Sequence, residues 1–260
     1  AWVDFNRNGI WEATEQILDS VDLSNPIQTL NFDLPSGLLP GDTIARVRLS
    51  SDGDLEPTGP ATDGEVEDHW VQVVGPPTVE SVEINHGQPQ RSRVDSLTVT
   101  FDRVVDVDMS NGDPFQFVNT DTGAVVSDQS SVSVQNERTV VDFSFIAGPS
   151  VTAGGNLIDG NYRLTIDASR VTHDGVLLDG NGDSTAGDNF VFGAGGADAF
   201  FRKYGDSDGN GRVDLFDFAM FRSTFGLSAG DAGYEVKFDA DEDDSITLFD
   251  FAAFRANFGR

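Results

Sequence analysis

The sequence predicts a mainly β protein with a small α tail: two β-sandwich modules followed by a pair of loop-and-helix repeats. Three observations carry that expectation. Apolar residues alternate with polar ones through the region before residue 194, as at Leu97, Val99 and Phe101, which marks half-buried strands. A gapless repeat occupies the end, 206–226 matching 239–259. The composition is also rich in turn formers, with 28 Gly and 34 Asp among the 44 acidic residues.

At roughly 100 to 200 residues per domain, 260 residues suggest two or three domains. The net charge of −28 argues against nucleic acid as a partner. A polyanion binder needs clustered cations, whereas the only lysines here are Lys203 and Lys237. No apolar run approaches the roughly 20 residues that span a bilayer, so membrane insertion is not expected. The absence of cysteine removes disulfides and thiolate metal sites. Beginning at Ala1 without Met, the chain is expected to be processed or a fragment.

Residues 1–75 form the first expected sandwich, with Ala45, Val47 and Leu49 facing one way and Arg46 and Arg48 the other, and with Val71 and Val73 continuing the pattern. Pro76-Pro77 makes a stiff connector, because neither residue can donate to a ladder. Residues 76–193 are the second expected sandwich. Their strands centre on Leu97 to Phe101, Val132 and Val134, Val141 to Phe145, and Tyr162 to Ile166, with turns at Asn111-Gly112, Thr122-Gly123 and Asp174-Gly175. Gly193 to Gly196 reads as a softer joint before the third domain, 194–260.

In that third domain Leu-Phe-Asp-Phe-Ala recurs at 215–219 and 248–252, and Phe225-Gly226 recurs as Phe258-Gly259. Leu215, Phe218, Phe221 and Phe225 fall at helical spacing, as do Leu248, Phe251, Phe254 and Phe258. Each helix should stop at its glycine, and two such short helices must pack on each other to hold their shape.

The segment before each helix carries a metal-loop spacing. Asp206, Asp208, Asn210, Asp214 and Asp217 stand at positions 1, 3, 5, 9 and 12, Gly211 at the sharp bend of position 6, and the Arg212 carbonyl at position 7. Alternate side chains of such a loop converge on one point, and calcium takes six to eight hard oxygens. The second loop offers Asp239, Asp241, Asp243, the Ser245 carbonyl, Thr247 and Asp250. Its position 6 is Asp244, which would need a positive φ, so this site is expected to be strained and weaker. A third loop of the same spacing lies at Asp4, Asn6, Asn8, the Ile10 carbonyl and Glu15. An irregular fourth lies at Asp179, Asn181, Asp183 and Asp188, its closing residue displaced.

The two tail repeats resemble a dockerin module, with Asp rather than Glu closing each loop, over about residues 200–260. The resemblance implies bound Ca²⁺ and docking to a cohesin-like partner through loop positions 10 and 11 and the following helix. Here those are Leu215, Phe216 and Arg222 in one repeat and Leu248, Phe249 and Arg255 in the other. Having the same pair twice implies a pseudo-twofold surface. Large apolar residues stand where many dockerins have small hydroxyls, and the leucines could equally be core, leaving only the phenylalanines exposed. Gly64-Glu65-Val66-Glu67-Asp68 and the opening Trp2 to Asn6 resemble the GEVED domain of secreted and surface-attached bacterial proteins, over nearly all of 1–74. The middle unit loosely resembles Ig-like or cadherin-like spacers.

His69, His86 and His173 are isolated, no nucleophile elbow is present, and Glu65, Glu67 and Asp68 do not make a cleft, so no catalysis is expected. The reading that results is a calcium-binding attachment or scaffolding region of a bacterial cell-surface protein, docking to a cohesin-like domain. Two alternatives stand beside it: the accessory tail of a polysaccharide-degrading or other secreted hydrolase, and a surface fibre subunit that docks onto another copy of the same chain. An extracellular location follows from the roughly 10⁻⁴ to 10⁻³ M affinity of extracellular calcium modules.

Overall fold

The structure is a computed structural model that describes residues 1–23, 29–32 and 40–260. Two compact units make up the chain: Ala1–Pro76 together with Gly182–Thr185, and Pro77–Asn181 together with Ala186–Arg260.

In the first unit β1 (Trp2–Val3), β2 (Gly41–Leu49) and β3 (Glu65–Val73) form an antiparallel sheet in that order. Among the described residues this is one three-stranded sheet, not the two facing sheets that the alternation suggested. Opposite Ala45, Val47 and Leu49, β3 sets His69, Glu67 and Glu65, so that face carries polar side chains rather than an apolar layer, and on the other face Val66 and Trp70 stay exposed. Arg46 clamps β3 instead, its Nε and Nη2 each donating to Asp68 at 2.7 Å. The buried apolar side chains of this unit, among those described, are Trp2, Val3 and Phe5, at the start of the Asp4 loop.

The second unit continues with β4 (Val79–Ile84), β5 (Ser96–Phe101), β6 (Asp106–Val107), β7 (Phe115–Asn119), β8 (Val125–Val126), β9 (Asp128–Gln135), β10 (Arg138–Phe145) and β11 (Gly160–Ile166). Then come β12 (Val171–His173), β13 (Val176–Leu177), β14 (Phe190–Phe192) and β15 (Phe201–Arg202). One sheet runs β4-β5-β10-β9, and a second runs β14-β11-β7-β8 with β15 added on β11. Their inner faces share one core. Leu97, Val99, Phe101, Val141 and Phe143 come from the first sheet, and Phe117, Leu164 and Ile166 from the second. Phe143 meets Phe115 and Phe117 edge-on at 4.9 and 5.1 Å between ring centres, the arrangement that aromatic quadrupoles favour.

Val132 and Val134 depart from expectation. They pair with buried Val141 and Thr139, but they sit on the edge strand β9 and remain 45% and 62% exposed. The Asp174-Gly175 turn forms as expected, both residues at positive φ in a two-residue hairpin. A second such hairpin joins β9 to β10 at Asn136-Glu137, with φ of +50° and +61°.

The tail helices are α1 (Leu215–Thr224) and α2 (Leu248–Asn257). Each starts with a reciprocal capping box, Asp214 with Asp217 and Thr247 with Asp250, which satisfies amides that the first turn leaves free. Each ends two residues before its glycine, with Phe225 or Phe258 between. The helices pack through Phe221 and Phe254, 4.9 Å apart, over Val213, Phe238 and Ile246.

No separate unit begins at Gly193 to Gly196. A Cβ on Gly193 would stand 2.1 Å from the Tyr162 carbonyl oxygen of β11, so the chain hugs the sheet there. Further bonds lock the tail to the sandwich. The Arg91 amide donates to the Asp206 carbonyl at 2.9 Å, Ser92 Oγ donates to the Lys237 carbonyl at 2.5 Å, and the Glu242 carboxylate accepts from Thr152 Oγ1 at 2.5 Å and from the Gly154 amide at 2.8 Å.

Candidate metal centres

The loop before α1 winds around Asp206. This side chain is fully buried, and its two oxygens accept from the amides of Gly209 at 2.7 Å, Asn210 at 3.2 Å and Gly211 at 2.9 Å. Asn210 Oδ1 accepts from the Arg212 amide, and buried Asp217 accepts from the amides of Ser207 and Asp214, both at 2.8 Å. These bonds fold the acidic side chains inward. Carboxylate oxygens of Asp206, Asp208 and Asp217 come within 4.8 Å of one another. Asp214 serves the helix as well, accepting from the Phe216 amide at 2.8 Å.

The second loop repeats the plan. Asp239 accepts from the amides of Asp243 and Asp244, Asp243 from that of Ser245, and Asp250 from those of Ala240 and Thr247. Asp239, Asp241 and Asp243 gather within the same 4.8 Å. Asp244 holds φ of +66°, as a residue in place of glycine at position 6 must, and Glu242 at position 4 holds +61°. The first loop has Gly209 and Gly211 at those positions, +76° and +83°. A left-handed non-glycine residue costs about 1–2 kcal/mol, so the second loop carries strain that the first does not.

The amino-terminal loop obeys the same geometry in a different setting. Asp4 accepts from the amides of Asn8 at 3.2 Å and Gly9 at 2.9 Å, Asn8 Oδ1 from that of Ile10, and buried Glu15 from those of Asn6 and Glu12. Positions 4 and 6, Arg7 and Gly9, are again left-handed at +58° and +74°. The structure adds a residue that the sequence reading missed. Glu12, at position 9, accepts from the side-chain amides of both Asn6 and Asn8. Its signal was the bare position number, the place of Asp214 and Thr247 in the tail.

The Asp179 segment is different. Asp179 is buried, its amide bonded to the Pro77 carbonyl, and it bridges to Asp188, while the Gly180 amide donates to the Asp188 carbonyl. Asn181 follows directly. Asp183 belongs to the other compact unit, where it accepts from the Thr185 amide at 2.7 Å. These residues form no acidic triad among the described residues.

Charge says what the tail loops want. Burial, with Asp217 and Asp208 nearby, pushes the Asp206 carboxyl up to about 6, and burial and the acids of the second loop raise Asp241. Gathered carboxylates that resist ionisation gain most from a hard cation, and every side chain that converges offers oxygen. The donor set fits calcium: Asp206, Asp208, Asn210 and Asp217 in the first loop, and Asp239, Asp241, Asp243 and Asp250 in the second. The ion would supply the positive charge that lets the acids ionise together.

Directly beyond each loop, the first helical turn points outward. Leu215 and Phe216 are 75% and 56% exposed, Leu248 and Phe249 72% and 75%. The leucines are therefore not core but stand exposed beside the phenylalanines. Arg222 and Arg255 are exposed two turns on.

A mainly β chain, with α-helices only in its tail among the described residues and hard-oxygen loops in both units, is thus the class that fold and sites define. Residues 1–72 match the family model of the GEVED domain. No curated protein and no solved structure matches the chain.

Proposed function

We propose that the chain is a non-catalytic, calcium-loaded attachment region of an extracellular bacterial surface protein. Residues 194–260 act as a dockerin-like module, with 1–75 and 76–193 as GEVED and Ig-like or cadherin-like spacers, and the partner is a cohesin-like domain. One observation carries this reading. Leu215 and Phe216, and again Leu248 and Phe249, stand exposed at the same two places of two repeats, each directly after an acidic loop. Exposed apolar side chains of that size mark a surface that another protein covers. Ions held at Asp206 and Asp239 would fix the loops from which both helices start, and so set the spacing of the two pairs.

Supporting this is the grip of the sandwich on the tail, which leaves both helix starts open while holding Asp206 and Glu242 from behind. The test is biolayer interferometry of the whole chain on immobilised cohesin domains. Calcium-dependent binding that vanishes in a Phe216→Asp, Phe249→Asp double variant is expected. Binding indifferent to both chelator and double variant would overturn the proposal.

A further inference from the structure

The two tail loops differ at their first ligand. Asp206 is held by backbone amides alone, whereas Asp239 Oδ2 accepts from the Asp244 amide and also from the Tyr234 hydroxyl, each at 2.8 Å. The residue at the matching place before the first loop is Phe201, whose ring tip lies 3.9 Å from where a Cβ on Gly211 would be. An aromatic ring therefore stands beside each loop, once with a hydroxyl and once without. The hydroxyl occurs beside the loop that lacks glycine at position 6.

We infer that Tyr234 is a positioning residue for the ion at the second loop, fixing the Asp239 carboxylate and offsetting the strain at Asp244. With Oδ2 engaged twice, Oδ1 takes only the 3.2 Å bond from the Asp243 amide and keeps lone-pair capacity for a cation. Outer-shell partners that orient a ligand typically change metal affinity about 10- to 100-fold when removed. Phe201 cannot do this for Asp206, and Gly211 makes it unnecessary. The inference rests on the calcium reading above.

The test is an amide-resolved NMR titration of the calcium-stripped whole chain, the Gly211 amide reporting the first loop and the Asp244 amide the second. Tyr234→Phe keeps the ring and removes only the hydroxyl. It should raise the calcium midpoint at Asp244 about tenfold or more and leave that at Gly211 in place. An Asp244 midpoint within twofold of wild type, or equal shifts at both amides as from a general loss of packing, overturns the inference. Wild-type amides that ignore calcium altogether would instead remove the calcium reading, and this inference with it.

Discussion

The amide of Gly226 donates to the carbonyl of Ile246 at 2.8 Å, which ties the end of α1 to the middle of the second acidic loop. Gly259 repeats the bond to Val213 at the same distance, so each helix closes on the loop of the other repeat. Neither loop can loosen without disturbing both helices. Val213 and Ile246 are fully buried and take the core seats just ahead of each helix, while Leu215 and Leu248 stay outside the core.

Truncating one of those seats should therefore melt both repeats together. Ile246→Ala removes a buried side chain packed in the tail core, a change that costs about 2–5 kcal/mol. Thermal unfolding followed at 222 nm should show a lowered, still single helical transition.

Two glycines with similar backbones should respond unequally. Gly209 at φ +76° would place a Cβ 1.9 Å from the Pro89 carbonyl oxygen, whereas Gly226 at +85° has nothing within 4 Å. Both alanine variants pay the left-handed cost of about 1–2 kcal/mol, but Gly209→Ala also forces the tail away from the sandwich. Denaturant midpoints should fall clearly further for Gly209→Ala.

The sandwich has its own pH response. Burial, then the charge of Asp113, pushes the Asp128 carboxyl up to about 7 from 3.8, and its Oδ2 is buried without a hydrogen-bond partner. Between those values the folded chain holds a proton that the unfolded chain releases, so this group's contribution falls as pH rises from about 4 to 7. Asp128→Asn should be more stable than wild type at pH 8, with the advantage gone near pH 4, as thermal melts at both values would show.

The Asn136-Glu137 hairpin offers a stabilising change. Glu137 sits at φ +61°, where glycine fits without strain. Glu137→Gly should gain up to about 1 kcal/mol, read as a raised melting temperature of the sandwich.

Much of this was legible because certain residues permit one reading. Gly211 at position 6, the Asp174-Gly175 pair and the duplicated Leu-Phe-Asp-Phe-Ala each fix a local geometry that short-range sterics enforce. Burial was harder to read. Helical spacing shows that Leu215 lies on a face, but not that Val213 already fills the core before the helix begins. Alternation in Ala45, Val47 and Leu49 could not reveal that their partners in the neighbouring strand β3 are His69, Glu67 and Glu65. The grip of Thr152 and Gly154 on Glu242 joins residues about ninety positions apart and leaves no local pattern.

The central claim is that the tail loops are filled by calcium, and native mass spectrometry of the whole chain tests it most directly. At calcium just sufficient to saturate the wild type, an Asp208→Ala, Asp241→Ala double variant should carry two fewer ions per molecule, since it loses a ligand in each loop. An ion count equal to that of the wild type would contradict the account.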